Sequence, residues 1–158
     1  MLNSIKTLFK ELTGEPSEKK EFGEEDYRLS AAALLFHVIA VDGEVEQVEL
    51  DQLTQTLEGH YQLTPAQSAE LVALAREKDS EAVDLYGFTS MLKRHLDEDE
   101  RRNIIELMWE MVYADGVVHE FEDNTIWRVA ELLGVSSRDR MTLKQKVARR
   151  RQSQSQSD

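Results

Sequence analysis

The chain has 158 residues, 31 Asp and Glu against 19 Lys and Arg for a net charge of −12, 41% hydrophobic residues and no cysteine. That length suits one compact domain, and the acidity argues against nucleic acid or an anionic membrane as a partner, since both reward clustered Lys and Arg. The missing cysteines exclude disulfides, thiolate nucleophiles, zinc ribbons and iron–sulfur clusters.

Residues 1–13 place Leu2, Ile5, Leu8, Phe9 and Leu12 three and four apart, the stripe of an amphipathic helix that must dock on the body, meet a partner or lie on a bilayer. Residues 14–25 carry one of the two prolines, two of the seven glycines and little apolar material, and read as a linker. The folded domain is expected over 26–148, with helices at 26–41, 47–59, 65–77, 81–95, 98–114, 120–133 and 137–149. Thr64 before Pro65, Asp97 before Glu100 and Ser136 before Asp139 have capping spacing, and Gly134 stands where a helix-ending glycine belongs. No stretch alternates like a strand, so the fold class is all-α: a compact bundle of about seven helices. Residues 149–158, RRRQSQSQSD, have nothing to bury and read as a disordered tail. The basic residues Lys144, Lys146, Arg149, Arg150 and Arg151 at that end complement the helix dipole. No apolar run reaches the roughly 20 residues of a membrane span, and the first residues lack a signal peptide's apolar core, so a cytoplasmic protein is expected, with any membrane association through a partner or the N-terminal helix.

The body repeats itself. LLFHVIAVDGEVEQVELDQL, from Leu34 to Leu53, aligns without gaps on LMWEMVYADGVVHEFEDNTI, from Leu107 to Ile126, 73 residues later. Two copies at that spacing suit two related helix-turn-helix halves packed face to face better than a solenoid. The shared core is Asp-Gly-x-Val-x-x-[Val/Phe]-Glu, with Asp42, Gly43, Val45 and Glu49 matching Asp115, Gly116, Val118 and Glu122.

Two readings of this motif stand side by side. In the first, Asp-Gly turns the chain out of one helix, the valine staples the next, and the glutamate caps free N–H groups at that helix's third position. In the second, Asp42, Glu49, Asp115 and Glu122 converge across a pseudo-twofold axis and hold one divalent cation. An all-oxygen set favours a hard ion, calcium first. Asp-Gly followed by this glutamate has the spacing of the second half of an EF-hand loop, but Val38, Ala40, Met111 and Tyr113 stand where its first ligands belong, which rejects an EF-hand.

The doubled motif, together with the closing Ala-x-x-Leu-Gly-Val, resembles the TerB-like family, which includes the tellurite resistance protein TerB and the N-terminal domain of a membrane-anchored co-chaperone. The resemblance covers about Leu29 to Val147 and is strongest from Leu107 to Val135. It implies an all-helical domain of two related halves, an acidic surface, a divalent-metal site at Asp42, Glu49, Asp115 and Glu122, and a link to tellurite and stress resistance. Val41 departs from the usual Ala before the first Asp-Gly.

Other chemistry finds little footing. His37, His60, His95 and His119 are scattered without the i, i+4 spacing of a helical zinc site. No nucleophile elbow or glycine-rich phosphate loop is present. Trp109 with Tyr113 and Phe121 with Trp127 lie at helical spacing and are expected in the core. The expectation is therefore a non-enzymatic module acting through a protein partner, with or without a cation; the alternative is a metal-free adaptor like the regulatory domain of the co-chaperone.

Overall fold

The computed structural model describes residues 22–23, 26–41, 43–115 and 118–156, without the side chains of residues 115, 155 and 156. The expected N-terminal helix and most of the linker lie outside the described residues.

Helix α1 (Tyr27–Ala40) begins at Asp26, whose Oδ1 accepts the Arg28 backbone N–H at 2.9 Å while the Arg28 guanidinium donates back to both carboxylate oxygens. Its sequence, YRLSAAALLFHVIA, is apolar nearly all round, so the helix has no face to give to water and must sit at the centre. The other helices wrap it. They are α2 (Gln47–Tyr61), α3 (Pro65–Glu81), α4 (Tyr86–His95), α5 (Glu98–Val112), α6 (Glu120–Leu133) and α7 (Ser137–Gln156), with a 3-10 turn at Tyr113–Asp115 after α5. Helices α2 to α6 all pack on α1, and the small side chains of Ala31, Ala32 and Ala33, none of them exposed, let neighbours come close. Helix α7 packs on α5 and α6 instead. The protein is an all-α bundle, as its periodicity requires.

The sequence signals act where expected. Thr64 Oγ1 accepts the Gln67 N–H at 3.2 Å, Asp97 Oδ1 the Glu100 N–H at 2.8 Å and Ser136 Oγ the Asp139 N–H at 3.1 Å, starting α3, α5 and α7. Gly134 closes α6 at φ +73°, a conformation that strains any residue with a Cβ.

Three stretches differ from the sequence reading. The helix expected over 81–95 is split: α3 runs on to Glu81, residues 82–85 leave the helix with Ala82 extended, and Asp84 Oδ1 accepts the Tyr86 N–H at 3.0 Å to restart it. Phe22, placed in the linker, is buried in the core beneath the Arg28 guanidinium, 4.6 Å from the ring centre. The stretch expected as a disordered tail from 149 is helical through Gln156. Arg150 reaches Glu106 at 2.8 Å and Glu110 at 2.9 Å, and Arg151 donates to the Glu110 carbonyl, so the basic side chains tie α7 to α5. Burial would push the Glu106 carboxyl up, but hydrogen bonds from Lys146 and Arg150 outweigh it and hold it below the ordinary carboxylate range. Among the described residues no helix is long and apolar enough to cross a membrane.

Candidate functional site

The two Asp-Gly motifs lead into helices that start with the same geometry. Glu46 precedes α2 and His119 precedes α6, each at φ −82° and ψ 152°. Three residues on, Glu49 Oε1 accepts the Glu46 N–H at 3.1 Å, and Glu122 Oε1 accepts the His119 N–H at 3.0 Å. Both glutamates are buried, at 7% and 3% exposure. A buried carboxylate is costly unless hydrogen bonds compensate it, and the N-terminal helix dipole adds to that compensation. Val45 and Val118 pack on the core ahead of each helix, and Leu53 and Ile126 are buried one turn beyond each glutamate.

The approach to the turns is different. After α1, Val41 keeps helical angles and Gly43 takes φ +88°, its N–H bonded to the Ala40 carbonyl at 3.0 Å, a turn that L side chains rarely adopt. After α5, the chain tightens into the 3-10 turn that ends at Asp115. This turn packs against α2, the helix whose first turn carries Glu49.

Of the four residues singled out by the repeat, Glu49 and Glu122 are thus placed at matched, buried helix starts, while Asp42 and the Asp115 side chain lie outside the described residues. Val38 and Met111, which occupy the positions where an EF-hand would begin its ligands, are core residues.

The histidines are separately employed. His37 Nδ1 lies 2.7 Å from Asp79 Oδ1 across α1 and α3, His95 stacks on Tyr27, and His60 meets the edge of Tyr61. Burial lowers the His60 pKa against the field of Glu110, and burial, with Tyr27 adjacent, raises that of the Tyr61 hydroxyl. Among the described residues no three His, Asp or Glu side chains group in a way that could hold a metal ion.

One aromatic expectation is corrected. Trp109 is fully buried, but Phe121 and Trp127 are 66% and 48% exposed. The buried positions of α6 are Glu122, Ile126, Val129, Ala130 and Leu133, so residues 121 and 127 leave the helix from its outer side. Positions six apart lie about 120° apart around a helix, so spacing alone does not put this pair on one inward face.

The family model for the tellurite resistance protein TerB matches residues 28–145. The chain belongs to the TerB family. No curated protein and no solved structure matches it. The TerB match runs from the first turn of α1 into α7 and includes both Asp-Gly motifs, which agrees with the span expected from the doubled motif. Within this TerB domain, no local pattern signals the His37–Asp79 pair or its surroundings, because the two residues are 42 positions apart and meet only when α1 and α3 pack.

Proposed function

We propose that this TerB-family protein is a non-enzymatic helical module whose paired turns hold a divalent cation, calcium favoured, through Asp42, Glu49, Asp115 and Glu122, and which acts in tellurite or stress resistance by binding a protein partner. The observation that carries the reading is the pair of buried glutamates at identically built helix starts. Packing supports it: α1 meets α6 as α2 meets α5, and α1 and α5 meet each other, the pattern of two halves around a pseudo-twofold axis. Carboxylate oxygens without sulfur or imidazole fit a hard cation of six to eight ligands.

The test is thermal unfolding of the full chain in calcium, magnesium, manganese and chelator. Calcium at about 100 times its dissociation constant adds about 2.7 kcal/mol, or about 5 to 11 °C in Tm. Asp42→Asn and Asp115→Asn keep a side-chain oxygen for the turn and lose most of that shift, with little change in chelator. Identical melting in all four conditions would retire the cation.

A second reading has its own support. Each glutamate already accepts a helix-start N–H, which gives it a structural role without any ion, and Phe121 and Trp127 present aromatic surface of the kind protein interfaces use. In that case the module is a metal-free adaptor, and Glu49→Gln and Glu122→Gln fold normally.

A further inference from the structure

A cavity of about 450 Å³ opens where residues 82–85 separate α3 from α4, with α1 and α6 as its other walls; His37, Asp79, Asp84, Tyr86, Arg128 and Leu132 line it. It shares no residue with the paired turns. Val83 on its rim is fully exposed, and Tyr86 is largely so. The charges around it are unequally employed. Asp79 is held by His37 at 2.7 Å, and Asp84 accepts the Tyr86 N–H at 3.0 Å. Arg128 makes no hydrogen bond or ion pair among the described residues. The Arg128 guanidinium therefore keeps its donors unused, beside the apolar side chains of Val83, Leu132 and Tyr86.

We infer that this cavity binds a small organic acid, with its carboxylate on Arg128 and its apolar body against Val83, Tyr86 and Leu132. The volume lies within the range of ligand sites, which join apolar walls to a few polar anchors. A guanidinium matches a carboxylate by two parallel hydrogen bonds. The carboxylates of Asp79 and Asp84 in the same lining oppose a doubly charged anion more than a singly charged one, which selects a monocarboxylate over a phosphate. The inference is independent of the proposed cation, since no residue is common to both.

Amide NMR of the full chain, titrated with phenylacetate, 2-phenylethanol and inorganic phosphate, tests it. Phenylacetate is expected to shift the resonances of residues 82–86 and 128–132 saturably, with 2-phenylethanol and phosphate at least about tenfold weaker, the worth of a charge-assisted hydrogen bond. Arg128→Gln, a change at an exposed position, is expected to weaken phenylacetate by about the same factor while leaving the fold unchanged. Equal binding of 2-phenylethanol or phosphate, an unaltered Arg128→Gln titration, or no shift at those residues overturns the site.

Discussion

Helices α1 and α5 occupy equivalent places in the repeat and have opposite surroundings. Helix α1 buries ten of its fourteen residues and is enclosed by five other helices, whereas α5 buries six of fifteen and keeps an acidic face for α7. The aligned residues are alike at the Asp-Gly end and diverge toward the start, where α1 has Ala31, Ala32 and Ala33 and α5 has Ile104, Ile105 and Glu106. One helix-turn-helix pattern thus serves two roles, an enclosed centre and a charged outer layer. What separates them is the extra cover that α4 and Phe22 bring to the first half.

The largest effect is expected where that extra cover is removed. Phe22→Ala costs about 3 to 5 kcal/mol by the usual scale for a buried phenylalanine, measured by urea unfolding. The informative truncation therefore removes residues 1–20 and keeps Phe22; a deletion to 24 takes a core residue with it. Next comes the pair at the repeat's aligned leucines. Leu34 is fully buried and Leu107 only half-buried, so Leu34→Ala is expected to cost about 3 kcal/mol and Leu107→Ala about 1 kcal/mol. Equal losses would break the contrast between an enclosed and a half-covered helix.

The glutamates sharpen the comparison from the other side, because there the halves agree. Glu49→Ala and Glu122→Ala each leave a helix-start N–H without its acceptor and are expected to cost about 1 to 2 kcal/mol, nearly equally, in chelator. A loss at one site alone would mean that matched geometry hides unlike roles.

The smallest effect concerns the layer that only the second half has. Glu106 is held below its ordinary pKa once folded, so its contribution is fully present above the ordinary carboxylate range and is lost as pH falls below that range through the lowered folded-state value. Glu106→Gln is expected to cost about 1 kcal/mol at pH 7, and the difference from the parent chain should vanish in acid. A difference that persisted in acid, once the carboxylate is protonated in both states, would assign Glu106 to packing rather than to charge.

Much of this was legible from local residues. Thr64-Pro65, Asp97 with Glu100 and Gly134 mark helix ends through short-range hydrogen bonds and backbone angles, so sequence neighbours carry the whole signal. The break at residues 82–85 was hidden because AVDL contains no glycine or proline, and only the Asp84 carboxylate accepting the Tyr86 N–H marks the restart within a stretch that otherwise reads as helix. At the candidate site the repeat pointed to the two glutamates, but their burial depends on neighbouring helices.

By itself the sequence determined the helical class, most helix boundaries, the doubled Asp-Gly motif and the TerB family, because each rests on a period, a cap or a motif carried by adjacent residues. Tertiary structure alone decided that Phe22 belongs to the core, that Phe121 and Trp127 face outward, that α7 continues to Gln156 along Glu106 and Glu110, and that His37 meets Asp79 beside Arg128. Those outcomes turn on which face of a helix a distant segment covers, and burial and charge pairing are set by that partner rather than by the helix's own residues.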